Sequence, residues 1–402
     1  MVVDALPRAL RRGRTRAVDG VVVELLPAAE RGLAAATWRG LEAAHGAGVA
    51  DSWDWVETWL DHYGDLVPHR FAIGLGPNGP RGIVLLAEGV GQRRGPIPVR
   101  TLHLGTAGEP DADTVRVEYN RLLVAPADRT AFATALLATL RSARIRYDEL
   151  VLDGFAPVDA EPFLGADPAF RSRRRICHVT DLRAIREGGG TVLAALRGGT
   201  GNKVRRSRRR LEEAHGPIRI EWAETLDEAE AIYAEMVALH QRRWEEAGEP
   251  GKFASRRFDG FHRDLVRRLF PRGRVLLARV AAGEVTVGCD YSLVEHGRVL
   301  AYQWGLGQFD DSLISPGLVT GVTVMQAALE RGLDEYDWLA GDVLYKRQLS
   351  TTTRELVWAR LPHGARGHLI DSMIRARRAY RRARSSAGAE ANVSPDPVRT
   401  GD

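Results

Sequence analysis

The stretch from Val299 to Lys346 constrains the fold of this chain most, because it predicts a strand, a tight loop, a helix and a second strand in close succession. The loop holds Ser315, Pro316 and Gly317, and the predicted helix runs to about Arg331. Backbone N–H groups in the first turn of a helix have no helical partner. The stretch therefore predicts a seat for an anionic group at the start of this helix.

The same order of strand, helix and strand occurs in the first half of the chain. Tyr147–Leu150 opens the strand after the first helix, and the similar Tyr336–Leu339 opens the strand after the second. The alternation indicates an α/β protein, and the repeat predicts two copies of one fold. The first copy has Ala125–Ala127 where the second has Ser315–Gly317, so we expect the chemistry in the second copy.

Length and composition predict a cytoplasmic protein of two domains. The chain has 402 residues, 44% of them hydrophobic, and domains usually run about 100–200 residues. Its two cysteines, Cys177 and Cys289, are too few for a disulfide framework and lack the spacing of a zinc site. No apolar run approaches the roughly 18 residues of a membrane span, and the N-terminus lacks the apolar region of a signal peptide.

Positive charge is concentrated at the two ends of the chain. Residues 1–19 carry five Arg against two Asp, and residues 366–402 carry eight Arg against four acidic residues, while the whole chain is +5. The two ends therefore account for all of the net positive charge, and residues 20–365 are slightly acidic. We predict a disordered basic leader at 1–19, domains at 20–170 and 171–365, and a basic helix with a disordered tail at 366–402.

Several short motifs carry a resemblance to a known family: Ser315-Pro316-Gly317 at a helix start, Glu330-Arg331-Gly332 at its end, Tyr336-Asp337 in the next strand, and Gly341-Asp342 with Tyr345-Lys346 beyond. Over about residues 190–360 the chain resembles the BioF2-like or CelD-like acyltransferases of the GNAT superfamily, relatives of the Fem aminoacyl transferases. The N-terminal part, with Glu118-Tyr119-Asn120, resembles the companion half of these two-lobed proteins.

The resemblance implies tandem GNAT-like domains, each a mixed central sheet flanked by helices, with the active cleft mainly in the second domain. It implies transfer of an acyl group from a thioester, usually acyl-CoA, to an amine, with no metal. Fem-type relatives take the acyl group from aminoacyl-tRNA instead. The loop Leu313–Gly317 departs from the GNAT phosphate signature, which has Gln or Arg followed by spaced glycines.

Acyl transfer to an amine needs a proton acceptor, donors for the oxyanion and a proton for the leaving group. Asp290 lies in an otherwise apolar strand, which predicts a raised pKa suited to a general base; the alternative is a hydrogen-bonded structural Asp. The resemblance implies that Tyr345 protonates the leaving thiolate. Lys346 would stabilise an oxyanion or a phosphate, unless it merely pairs with Asp342 in a solvated turn.

Candidate residues for donor binding lie at the start of the predicted helix and on an earlier basic helix. Ser315, Gly317 and Leu318 would present backbone N–H groups to a phosphate or thioester carbonyl. The alternative is that Ser315 only caps the helix. Arg205 and Arg206 would grip phosphates of coenzyme A or of tRNA, unless that helix is simply a solvated charged surface.

Four residues on or near the predicted strands are candidates for binding the acceptor, against the alternative of plain packing: Tyr291, Tyr302, Gln303 and Asp342. Our preferred hypothesis is direct transfer from acyl-CoA to a small-molecule amine. One alternative is aminoacyl-tRNA-dependent amide formation in cell-wall or natural-product biosynthesis. Another is an RNA-associated or membrane-associated binding protein on a degenerate GNAT fold, held by the Arg-rich tail at 375–384.

Overall fold

The computed structural model describes residues 17–115 and 118–390, so most of the predicted leader and the last part of the predicted tail lie outside the described residues. The protein is built on a large mixed sheet flanked by helices, which confirms the predicted α/β class. Helix α12 reaches Glu390, so part of the predicted polar tail is helical. No described helix is both long and apolar enough to span a membrane.

The first half of the chain holds eight strands and four helices in the described residues. Its strands are β1 Val22–Pro27, β2 His69–Gly76, β3 Gly79–Glu88, β4 Arg93–Arg94, β5 Ile97–Pro98, β6 Thr101–Leu104, β7 Leu123–Val124 and β8 Glu149–Phe155. Its helices are α1 Arg31–His45, α2 Trp53–Tyr63, α3 Arg129–Ser142 and α4 Pro157–Ala166.

The second half repeats this alternation and ends in a long helix. Its strands are β9 Arg171–Asp181, β10 Ile218–Trp222, β11 Val275–Ala282, β12 Val285–Glu295, β13 Arg298–Leu306, β14 Glu335–Ala340 and β15 Thr352–Pro362. Its helices are α5 Leu182–Glu187, α6 Val192–Ala195, α7 Thr200–His215, α8 Leu226–Glu246, α9 Arg256–Leu269, α10 Pro316–Glu330, α11 Leu344–Leu349 and α12 Gly364–Glu390.

The order of strands shows two copies of one unit, placed side by side in a single sheet and running in opposite directions from its centre. It runs β1-β2-β3-β6-β8-β15 and then β9-β14-β13-β12-β11-β10. In each half one neighbouring pair is parallel, β6 with β8 and β13 with β14, and a helix connects the two strands. The predicted duplication is therefore visible in the sheet. Strand β15, from the end of the chain, pairs with β8 of the first half on one side and with β9 on the other.

Three hydrophobic cores hold these layers together. One packs α3 and α4 on the first half of the sheet, and another packs α7 and α10 on the second half. The third lies between the halves, where α1 and α2 meet α8 and α9 around the buried Trp55, Trp59 and Phe261. Burial on this scale fixes the position of each half relative to the other, since buried apolar surface is the main stabilising contribution in folding.

Candidate active site

The candidate site is an opening in the sheet between β13 and β14. These parallel strands pair over three positions, the last being Leu300 opposite Asp337. Beyond this position β13 continues through residues 301–306 and β14 runs to Ala340, but the two strands no longer pair. An extra residue at Tyr302 shifts the register of β13 on its other neighbour, as in a β-bulge. The unpaired edge of β13 leaves backbone N–H and C=O groups for an extended ligand.

The start of α10 borders this opening, and a buried serine holds it there. Pro316 occupies the first helical position. The N–H of Ser315 donates to Ser207 Oγ at 3.0 Å, and the Ser207 hydroxyl donates to the Leu313 carbonyl at 3.1 Å. The Ser315 side chain makes no capping hydrogen bond, so the alternative that it only caps the helix does not describe its geometry.

Only part of the predicted anion seat remains available at this helix start. The N–H groups of Leu318 and Val319 donate to the Ser315 carbonyl at 3.1 and 3.2 Å. Leu318 also packs its side chain into the core. Gly317, whose first-turn N–H lacks an intrahelical acceptor, lies against the end of β13, since a Cβ built on it would come 3.2 Å from Leu306. Of the three predicted donors Ser315, Gly317 and Leu318, Gly317 is therefore the one whose N–H is not used by the bonds described above.

The basic helix α7 runs beside the loop that leads into α10. Arg210 donates to Asp311 in that loop, with 2.6 Å between Nη1 and Oδ2. Arg206 lies one turn earlier on the same face, next to the buried Ser207. Arg205 instead donates to Asn202 on its own helix at 2.7 Å. Of the two predicted phosphate ligands, Arg206 is thus the one on the side of the loop.

Three aromatic side chains form one wall of the opening. Trp304 on β13 meets Trp338 on β14 edge-on, with 5.1 Å between ring centroids. Tyr345 on α11 lies 6.0 Å from Trp338 and 6.4 Å from Trp304, and it is 44% exposed. Burial of part of the phenol raises the pKa of Tyr345 above its usual value. The phenol is therefore protonated at neutral pH and can donate a proton.

Asp290 lies behind this wall with no exposed surface. Its carboxylate accepts hydrogen bonds from Ser292 at 2.7 Å, from the Trp304 indole at 2.8 Å and from the Tyr336 hydroxyl at 2.9 Å. Burial raises the pKa of Asp290 to about 7, as the sequence predicts. Because three donors surround the carboxylate, the geometry matches the hydrogen-bonded structural alternative, and the Asp290 side chain fixes Trp304 in place.

Lys346 and Asp342 lie at the polar end of β14. Lys346 Nζ donates to the carbonyls of Leu339 and Ala340, both at 3.1 Å. Asp342 accepts from His178 Nε2 at 3.0 Å and from Arg347 Nη2 at 2.8 Å, and it is 48% exposed. The Arg347 guanidinium holds the pKa of Asp342 below its usual value.

The predicted acceptor residues separate onto two faces of the sheet. Tyr291 is fully buried in the core between the halves, where its hydroxyl lies 3.1 Å from His262 Nδ1. Tyr302 turns to the same face at the bulge, with its ring 4.7 Å from His262. Gln303 is partly exposed beside them. Asp342 lies apart from these three residues, in the segment after β14, where it contacts His178 and Arg347.

Residues from the first half of the chain reach into the end of β14. Glu118 accepts from the N–H of Ala340 at 2.9 Å, and the Tyr119 hydroxyl donates to Asp337. Tyr119 and Leu339 both have a left-handed backbone, with φ of 60° and 58°. Such conformations are uncommon for residues with side chains and cluster at functional sites.

Sequence reasoning missed the two tryptophans of the wall, the His178 that bonds Asp342, and the direct contact of Glu118 and Tyr119 with β14. Aromatic residues at alternate strand positions are the signal that could have identified Trp304 and Trp338. The left-handed backbone at Tyr119 and Leu339 carries no comparable signal, since neither residue is Gly or Asn.

Comparison with protein families places part of the chain with a known domain. Residues 198–347 match the family described as acetyltransferase (GNAT) domain. This segment includes α7, β13, α10, β14 and Tyr345, so it covers most of the candidate site. No curated protein is similar enough in sequence to count as a relative.

Solved structures share the fold over more than four fifths of the chain at low sequence identity. FemX is 11% identical with a TM-score of 0.53, and the alignment covers 81% of this chain and 95% of FemX. The C-terminal domain of a putative lysylphosphatidylglycerol synthetase from Agrobacterium fabrum is 12% identical with a TM-score of 0.50, over 85% of this chain and 96% of that one. At such identities the likeness concerns the fold.

Proposed function

We propose that the protein transfers an acyl group from acyl-CoA to the amine of a small molecule. The premise is that residues 198–347 match the family described as acetyltransferase (GNAT) domain. The single observation that carries this proposal is the opening between β13 and β14, which lies beside the start of α10 and is bordered by Tyr345. In this proposal an extended thioester lies in the opening, and its carbonyl faces the second substrate.

The unpaired edge of β13 supports the proposed position of the donor. An extended chain that carries amide groups would pair with the backbone of residues 301–306, as a peptide pairs with the edge of a sheet. Phosphates of the donor would then lie toward the Gly317 N–H and the Arg206 guanidinium, which can form two parallel hydrogen bonds to phosphate.

The chemistry requires no covalent enzyme intermediate. The neutral amine nitrogen attacks the thioester carbon, the C–S bond breaks, and the sulfur takes the phenolic proton of Tyr345. Backbone N–H groups on the free edge of β13 stabilise the oxyanion. Asp342 binds the acceptor, Lys346 holds the end of β14 through two carbonyls, and Asp290 positions Trp304. The proton lost by the amine passes to water at the exposed mouth, and the Tyr345 phenolate takes a proton back from water.

Aminoacyl-tRNA is the second candidate donor, and the exposed arginines of α7 favour it. Arg209 is 72% exposed, and Arg205 and Arg206 are also at the surface. A nucleic acid that contacts this helix would extend across the same mouth that a smaller donor enters. In that case the acyl group would be an aminoacyl group, and the site geometry would be unchanged.

Donor binding separates the two candidates. We expect acetyl-CoA or a longer acyl-CoA to raise the melting temperature, since a ligand that binds only the folded state stabilises it. Binding of charged tRNA should weaken steeply with salt, because it releases many counterions, whereas a single coenzyme has few phosphates. A chain stabilised by charged tRNA and by no acyl-CoA would overturn the first proposal and support the second.

A further inference from the structure

A cavity of about 420 Å³ lies in the first half of the protein, away from the opening between β13 and β14. It is open to solvent, and the hairpin of β4 and β5 and the first turn of α12 border it. Its lining includes Gly89, Gly91, Gln92 and the three arginines Arg93, Arg100 and Arg366. Nothing in the proposed acyl transfer uses these residues.

A buried carboxylate holds two of these arginines in position. Asp148 is almost fully buried, and it forms ion pairs with Arg100, at 2.7 Å, and with Arg366. Arg366 also donates to the Pro98 carbonyl at 2.8 Å. Together with Arg93, three guanidinium groups border the cavity, and the Asp148 carboxylate pairs with two of them. Two pre-positioned guanidinium groups suit the oxygens of a phosphate.

Neighbouring acids do not cancel this charge, because each of them already has arginine partners. Glu149 pairs with Arg94 at 2.7 Å and with Arg360 at 2.8 Å. Asp371 pairs with Arg360 and with Arg375, both at 3.1 Å. The surface around the cavity therefore keeps an excess of positive charge.

Helix α12 carries an exposed apolar stripe beside this cavity. Leu369, Met373 and Tyr380 are 61%, 49% and 66% exposed, and their spacing of four and seven residues places them on one side of the helix. Ile370 faces the core instead. Arg377, eleven residues after the cavity residue Arg366, lies on the same side of the helix as that residue.

Arg366 and Arg377 lie between the apolar stripe and the hairpin. Arg377 approaches the tip of the hairpin, since its Nη1 lies 2.9 Å from a Cβ built on Gly95. A helix with exposed apolar residues flanked by arginines lies well in the interface of an anionic bilayer. RNA would gain nothing from Leu369 and Met373, and a second copy of the chain would bring arginines against arginines.

We propose that α12 and the β4–β5 hairpin form a docking surface for an anionic membrane. Leu369, Met373 and Tyr380 enter the boundary between headgroups and acyl chains. The cavity between Arg93, Arg100 and Arg366 takes the phosphate of one lipid headgroup. This surface is separate from the acyl-transfer site, so docking and turnover can be tested independently.

The test is co-sedimentation of the full chain with vesicles of phosphatidylcholine, with or without phosphatidylglycerol. We expect binding only to the anionic vesicles, weakened by salt. Two double variants address the two components: R93E/R377E removes exposed charge, and L369S/M373S removes the stripe. Each should reduce partitioning about tenfold or more. These four side chains are exposed, so melting temperatures should stay close to that of the unchanged protein.

Matched controls lie on the second half of the protein. Arg256 on α9 and Val285 on β12 are exposed, so R256E and V285S make one change of each kind elsewhere and should leave partitioning unchanged. Equal binding to neutral vesicles, or no effect of either double variant, would overturn the proposal. Tighter binding to duplex RNA, lost in R93E/R377E but kept in L369S/M373S, would assign the surface to RNA instead. A concentration-dependent dimer that L369S/M373S dissociates without lipid would assign it to self-association.

Discussion

Tyr345 is the side chain on which the proposed chemistry depends most directly. Because general acid catalysis typically contributes 10²–10⁴-fold, we expect Y345F to lower kcat by about 10² or more. The side chain is 44% exposed and its hydroxyl is the only group removed, so the melting temperature should change little. Steady-state release of free thiol measures the effect.

The matched control for Tyr345 is Y380F on α12, which removes the hydroxyl of another exposed tyrosine far from the opening. Its kcat should equal that of the unchanged protein. Turnover by Y345F at the same rate as Y380F would show that the thiolate takes its proton from elsewhere.

Asp290 makes the stability of the protein depend on pH. Burial raises its pKa to about 7 in the folded state, whereas an unfolded Asp has a pKa of about 3.9. Between these values the folded state binds the extra proton, so the free energy of unfolding falls as the pH rises. Relative to D290N, the unchanged protein should lose up to about 1.4 kcal/mol per pH unit between about pH 4 and 7.

Urea unfolding at several pH values measures this difference. The control is D65N, since the Arg257 ion pair lowers the pKa of the exposed Asp65. The stabilising contribution of Asp65 therefore rises with pH through the unfolded pKa of about 3.9, which is the opposite sign to Asp290, and it changes little above about pH 5. Stability curves of D290N and the unchanged protein that run parallel from pH 4 to 7 would contradict the burial account of Asp290.

At this scale the sequence predicted chemistry better than contacts. An acidic residue in an apolar strand predicts a raised pKa, and the pKa of Asp290 is raised. Its donors could not be predicted, because Trp304 and Tyr336 come from two other strands and their register is set by the bulge and the parallel pairing. Whether a buried acid acts as a base or positions a neighbour depends on those contacts.

At the scale of elements, Gly321 lets helix α10 pack closely against Trp304 and Trp338. A Cβ built on Gly321 would come 2.8 Å from both Leu349 and Trp304, and 3.2 Å from Trp338. G321A should therefore lower the free energy of unfolding by about 1–3 kcal/mol, as overpacking does. It should also displace the tryptophans, so donor affinity should fall with stability.

The matched control is G40A in the interior of α1, where a Cβ meets no atom within 4 Å. This change should instead raise the free energy of unfolding by about 0.5–1 kcal/mol, because Ala is the better helix former. Equal stability of G321A and G40A in urea unfolding would show that α10 does not approach the wall this closely.

The elements themselves were largely predictable. Strand β13, helix α10 and strand β14 all lie where the sequence predicts a strand, a helix and a second strand. The opening between β13 and β14 was not predictable. It arises because pairing ends at Leu300, and local propensity does not encode where two strands separate.

At the scale of the whole molecule, β15 completes the centre of the sheet. It pairs with β8 on one side and β9 on the other, so the end of the chain joins the two halves. A chain that ends at residue 351 should lose cooperative thermal unfolding. A chain that ends at residue 363 keeps β15 and should still melt in one transition, because the halves also share a core.

Calorimetry of the two truncated chains measures this, with the unchanged protein as reference. Cooperative melting of the shorter chain at the temperature of the longer one would mean that β15 is dispensable. The sequence predicts the duplication from a repeated Tyr-Asp motif, yet the predicted domain boundaries simply put residues 352–362 at the end of the second domain. Its pairing with β8 joins residues that are remote in the chain, which is why the repeat alone could not reveal it.

The most direct test of the central claim is hydrogen exchange with and without acyl-CoA. If the donor lies along the unpaired edge of β13, peptides covering residues 301–306 and the start of α10 should exchange more slowly when it is bound, while α12 should be unaffected. Unchanged exchange at residues 301–306 in a protein saturated with acyl-CoA, with protection elsewhere, would contradict the account.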